Sequence, residues 1–266
     1  MTGDPQSSHG NSVCLEAGHR DGVALLRLNR PRVRNALNTE TAGALRAALV
    51  AADMDESVGC IVVTGAGTAF CSGGDLTEIA AAHRDGRPQD VVLLCRLIAD
   101  TFRTAEEIAT PVIAAVNGPA YAGGLALCLA ADLIVAGHDA RFAVPEAGIG
   151  LADPYMPARL SLRIGLERAK WMMLTGTPVD AATASSWGLA IEVAPEGQLD
   201  QTVQRMASLI AGQSAPSHAI YKKLLLRTYP PYDMPDYLAL LGSPQSARLL
   251  EKYARPAADQ ASPDKN

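Results

Sequence analysis

The chain has 266 residues, 48% of them hydrophobic, which suits one large domain with a sizeable buried core. Its 23 basic and 28 acidic residues leave a formal charge of −5 without a basic stripe, so a nucleic-acid or anionic-membrane footprint is excluded. Five scattered cysteines without a C-x-x-C pair and five histidines without ligand spacing exclude a disulfide scaffold and a zinc site, and imply reduced thiols in a cytoplasmic protein.

Residues 1–11 and 255–266 are expected to be disordered tails on composition, and the first of them carries no signal-peptide pattern. The longest apolar stretch, 125–136, is broken by Asp132 and is too short to span a bilayer. Residues 13–17 and 23–28 read as a hairpin turning at Arg20-Asp21-Gly22, with Pro31 ending the second arm. Asn38 suits a helix N-cap, and Ala42, Leu45, Leu49 and Ala52 follow at helical spacing. A short, wholly apolar strand at 60–64 leads into the Gly-rich loop GAGTAFCSGGD, which ends at Asp75.

A long helix is marked by Val91, Leu94, Ile98, Phe102, Ala105 and Ala109, and Pro111 ends it. A strand at 112–116, the loop NGPAYAGG, an apolar helix at 124–131 and a strand at 133–136 come next. Strands alternating with helices across short connections predict an α/β fold around a parallel sheet. Past Pro145 the pattern turns helical (154–164, 167–175, 181–187, 199–212 and from 215 onward), with a strand only at 190–193. The boundary is placed near Ala194: a core at 12–194, then a helical region at 195–254 that packs on a neighbouring subunit.

Two loops carry candidate chemistry, Ala69 to Asp75 and Asn117 to Gly124. In each, glycines between a strand and a helix start let the backbone approach a ligand and leave amides unpaired. Two such amides could hold a developing oxyanion; the plainer alternative is a pair of ordinary strand-to-helix turns. Ser72 does not sit in a nucleophile elbow, because G-x-S-x-G would need glycine where Phe70 stands.

F-C-S-G-G-D, then P-V-I-A-A-V-N-G-P-A-Y-A-G-G, A-A-D-L-I-V-A and V-P-E-A-G-I-G-L together resemble the enoyl-CoA hydratase/isomerase (crotonase) superfamily. So do R-P-R-V-R-N-A-L-N and L-T-G-T-P-V-D-A-A-T-A-S-S-W-G-L-A, and the likeness runs in order over residues 23–226. The resemblance implies a crotonase-like spiral of ββα units with a helical C-terminal trimerisation region, assembled as homotrimers or hexamers. It implies an acyl-CoA thioester as substrate, with no metal and no separate cofactor because CoA arrives on the substrate. The amides of Ser72 and Gly123 would form the oxyanion hole. Arg34, Asn35 and Ala36, with Gly73, Gly74, Asp75 and Leu76, would lie near CoA; Tyr121, Gly124 and Ala126 would line the acyl pocket.

Two departures from the family pattern bear on the reaction. The first of two hydratase glutamates falls at Ala126, while V-P-E retains the second as Glu146. Asp153, seven residues past Glu146, resembles an isomerase aspartate one residue out of register, or else caps the next helix. Activating water and managing a Cα proton usually take two groups, so the loss at Ala126 favours double-bond isomerisation by Glu146 over hydration. A catalytically weak acyl-CoA binder is the further alternative. Lys222 and Lys223 are candidates for CoA phosphates, although a solvated helix face is the plainer reading.

Overall fold

The computed structural model describes residues 13–228 together with Ser243 and Arg248. Both expected tails and the expected helix around 234–241 lie outside the described residues. β1 (Val13–Arg20) and β2 (Val23–Leu28) form the antiparallel hairpin. A 3-10 turn at Pro31–Val33 precedes α1 (Thr39–Asp53), whose first turn is capped by the Asn38 side chain accepting the Thr41 amide. β3 (Cys60–Gly65), α2 (Leu76–Arg84), α3 (Pro88–Glu107), β4 (Val112–Val116), β5 (Pro119–Tyr121), α4 (Gly123–Ala130), β6 (Leu133–Ala136) and β7 (Arg141–Ala143) follow. A second 3-10 turn at Glu146–Ile149 leads to α5 (Met156–Ile164), α6 (Leu166–Thr175), β8 (Val179–Asp180), α7 (Ala181–Ser186), β9 (Glu192–Val193), α8 (Leu199–Ala211) and α9 (Ala215–Leu226).

The main sheet has the order β1-β2-β3-β4-β6-β9, parallel throughout except for the β1–β2 hairpin. Its central strands are apolar on both faces because helices cover both. Ile61 and Val63 of β3 join the larger core beneath α1, α3 and α4, while Cys60 and Val62 point the other way onto α8. Val203 and Ala207 of α8 pack against Ile113, Ala115 and Val135 there. Although α8 follows the boundary expected near Ala194, it therefore closes the second face of the sheet.

A small second sheet, β5-β7-β8, has no counterpart in the sequence expectations, which left 119–121 in a loop and found no strand at 179–180. Strands of two or three residues are too short to show an alternating pattern. Their effect is positional: β5 pairs parallel to β7, and an isolated bridge joins Cys71 to Ala120. That bridge ties the two glycine loops together.

Candidate active site

The loop after β3 returns alongside Leu37. Leu37 donates its amide to the Gly73 carbonyl at 2.8 Å, and its carbonyl accepts the Asp75 amide at 3.0 Å. Successive peptide groups in such a bridge face opposite sides, so the Gly74 N–H points away from Leu37. Among the described residues it meets no acceptor. Ser72 differs: its amide is donated to the Arg34 carbonyl at 3.0 Å. The donor expected at Ser72 is thus already used, and the free amide on this loop belongs to Gly74.

On the second loop the Ala122 amide is donated to Ala143 at 3.1 Å. Gly123 opens α4, where first-turn amides have no intrahelical acceptor, and its N–H is free among the described residues. The two loops touch. A Cβ built on Gly123 would lie 3.5 Å from the Gly74 nitrogen, and one on Gly73 would lie 2.9 Å from the Gly123 nitrogen. Gly73 takes φ +98°, and Ala122 is held at φ 52°, ψ −128°, a conformation costing an L-residue about 1–3 kcal/mol and often found where a loop is shaped for a ligand.

Gly74 and Gly123 both line a cavity of about 200 Å³ that Glu146 and Asp153 also line. Glu146 begins the second 3-10 turn and is 8% exposed, and its Oε2 has no partner among the described residues. Burial pushes its carboxyl up from 4.5 to about 8, and the nearby charge of Asp153 adds to the rise. Asp153 is half-buried, and its Oδ1 accepts the amides of Tyr155 at 2.7 Å and Met156 at 3.0 Å, fixing the entry to α5. Loss of water raises its pKa too, against the opposing pull of those two amides and of Arg159. Tyr155, not Asp153, takes the N-cap position of α5, while Asp153 braces the turn before it and also lines the cavity.

A sequence profile of the enoyl-CoA hydratase/isomerase family matches residues 18–239. The chain belongs to this family. A mevalonyl-coenzyme A hydratase of Beauveria bassiana is 34% identical over 240 residues, covering 88% of this chain and 84% of that protein. The crystal structure of an enoyl-CoA hydratase/isomerase from Xanthobacter autotrophicus superposes with a TM-score of 0.79 at 31% identity, covering 90% of this chain and 91% of that one. An enoyl-CoA hydratase structure from Bacillus halodurans, at 21% identity and TM-score 0.81, shares the fold over 91% of this chain and 99% of its own.

Within this member of the enoyl-CoA hydratase/isomerase family, several expected binding residues turn out to brace the site. Asn35 is fully buried; it accepts the Arg30 amide at 2.9 Å and donates to the carbonyls of Ala66 and Ala69. The Ala36 carbonyl accepts Arg30 Nη1 at 2.6 Å. Asp75 caps α2 through the Thr77 and Glu78 amides and pairs with Arg30 at 2.9 Å. Arg34 is exposed, and Leu76 lines the cavity as expected.

Tyr121, Gly124 and Ala126 are not part of the cavity wall, contrary to expectation. The Tyr121 amide binds Cys71 at 3.0 Å, and a Cβ on Gly124 would stand 2.0 Å from the Cys71 carbonyl oxygen, so these residues pack the loops together. Ala126 is fully buried in the main core. Lys222 is neither a solvated lysine nor free for a phosphate: it is buried and bonds Asp132 at 2.7 Å and the carbonyls of Ala105 and Thr110.

Residues that the sequence argument missed form the far wall: Cys95, Ala99 and Phe102 from α3, and Tyr155 just before α5. The spacing of Val91, Leu94, Ile98 and Phe102 marks a helix, and that spacing is the same whether the helix faces a core or a cavity.

Proposed function

We propose that this protein shifts a double bond within an enoyl-CoA thioester, with Glu146 as the proton shuttle. The thioester carbonyl oxygen accepts the amides of Gly74 and Gly123, and the N-terminal end of α4 adds its positive pole to the second donor. Glu146 as carboxylate removes a proton from carbon, leaving an enolate whose charge rests on the held oxygen. The resulting carboxylic acid returns that proton two carbons along, so no atom is gained or lost and the carboxylate is regenerated. CoA comes with the substrate, so the reaction calls for no resident cofactor.

The observation that carries this reading is the buried Glu146 Oε2, without a partner among the described residues, in the cavity that Gly74 and Gly123 also line. A carboxyl raised to about 8 holds a captured proton long enough to redeliver it. Ala126 offers only a methyl where the family's other glutamate resembles it in position, so α4 supplies no second carboxylate. Hydration is the second reading, favoured by Asp153 facing the same cavity and by the name of the Beauveria bassiana relative.

Purified protein given trans-2-, trans-3- and 3,5-dienoyl-CoA separates them by liquid chromatography, which resolves the double-bond isomers, coupled to mass spectrometry, which detects added water. Isomerised product of unchanged mass is the expected result. A product heavier by one water, with no isomer formed, would overturn isomerisation in favour of hydration.

A further inference from the structure

We infer that the cavity admits a short, apolar acyl chain and that Phe102 and Tyr155 set its length limit, an inference that rests on the acyl-CoA reading above. The cavity runs inward from a rim that includes exposed Ala152 and half-buried Ser72 and Leu76. Phe102 and Tyr155, each 2% exposed and with ring centroids 5.3 Å apart, are the cavity's most buried lining residues.

This part of the wall is stiff. Tyr155 donates its hydroxyl to Glu106 Oε1 at 2.6 Å. Arg159 donates to both oxygens of the same carboxylate, at 2.5 and 2.9 Å, and its guanidinium lies 3.8 Å from the Tyr155 ring centre. A side chain fixed by a buried bidentate pair does not swing aside for a longer ligand. The same bonds hold the Tyr155 hydroxyl on Glu106, which does not line the cavity, so Phe102 and Tyr155 offer a chain terminus ring carbon rather than a hydroxyl.

Volume sets the scale. The cavity of about 200 Å³ is smaller than the roughly 300–1,000 Å³ of pockets that take drug-sized ligands, which suits a short acyl chain. Ala99, one helical turn before Phe102 on α3, is where the wall can be moved inward, and Phe102 is where it can be moved back.

The test is a chain-length series, with kcat/KM for turnover and calorimetric Kd for binding, on wild type, Phe102→Leu and Ala99→Leu. Wild type should prefer crotonyl- and hexenoyl-CoA and fall about tenfold or more by decenoyl-CoA, since single methylenes in a tight pocket carry such factors. Phe102→Leu should recover decenoyl-CoA relative to crotonyl-CoA, whereas Ala99→Leu should lose hexenoyl-CoA first. Should Phe102→Leu fail to fold, the wild-type and Ala99→Leu profiles still decide. Equal turnover of decenoyl- and crotonyl-CoA by wild type overturns the length limit and leaves the acyl-CoA reading standing. Tight binding of a carboxylate-ended chain overturns the apolar end. If no CoA thioester of any length binds, both readings fall together.

Discussion

The Ser72 amide is donated to the Arg34 carbonyl at 3.0 Å, and this bond makes Gly74 the loop's free donor. Gly74→Pro removes that donor while sparing the Gly73 and Asp75 groups that bond Leu37. It should lower kcat by about 100- to 1,000-fold, the usual cost of losing one oxyanion donor. Ser72→Ala keeps its backbone bond and should stay within a few-fold of wild type. Steady-state kinetics on the two variants checks the assignment, and a folded but inactive Ser72→Ala protein would refute it.

Glu146 gives stability a pH dependence of defined sign. Its carboxyl titrates near 8 in the fold against 4.5 ordinarily, so between those values the folded protein keeps a proton that the unfolded chain has released. Stability is undiminished below about 4.5, falls as pH rises toward 8, and levels off above. Glu146→Gln escapes the loss. Its thermal-melt advantage over wild type should widen from pH 5 to 8, reaching on the order of a few kcal/mol. Its turnover should fall by about 100-fold or more, as for a lost general base. A melting curve parallel to wild type across this range would contradict the raised pKa.

Asp153→Asn removes a negative charge that faces Glu146, while its amide oxygen can still accept the Tyr155 and Met156 N–H groups. The melting temperature should therefore hold, and the midpoint of the rate–pH profile should move to lower pH. Loss of turnover at every pH, with the melt unchanged, would instead make Asp153 a second acid. Asp153→Ala also loses both bonds to the turn before α5 and should cost about 1 kcal/mol in urea unfolding.

Lys222→Met leaves Asp132 without its cation and two buried carbonyls without a donor. A loss of about 1–3 kcal/mol per group so stranded is expected in chemical denaturation. KM for a CoA thioester should not change. A raised KM at unchanged stability would return Lys222 to the CoA phosphates.

The family resemblance implies a trimer or hexamer, and Leu174, Tyr221 and Leu225, 79%, 65% and 65% exposed on α6 and α9, are apolar surface that an assembly would cover. Sedimentation velocity at micromolar concentration checks it. A single species near 27.8 kDa would exclude it.

Much of the fold was legible from residue order because its signals are local. The α1 stripe, the Asn38 cap, Pro111 after α3 and the apolar runs of β3, β4 and β6 each act within a few residues and fell where spacing put them. The short strands β5, β7 and β8 were not legible, for they exist only through pairing with one another. Among the candidate site residues, Glu146 and Gly123 stood out from V-P-E and the second glycine loop, and both line the cavity.

By itself, then, the sequence determined the longer strands and helices and which family the chain resembles. Only the tertiary structure decided which amide is free, because that depends on Arg34, 38 positions from Ser72, offering its carbonyl first. It also decided that Lys222 is an internal clamp and that Phe102 and Tyr155 line the cavity. Hydrogen-bond saturation and enclosure are properties of a site's whole neighbourhood, and distant stretches of chain become neighbours only on folding.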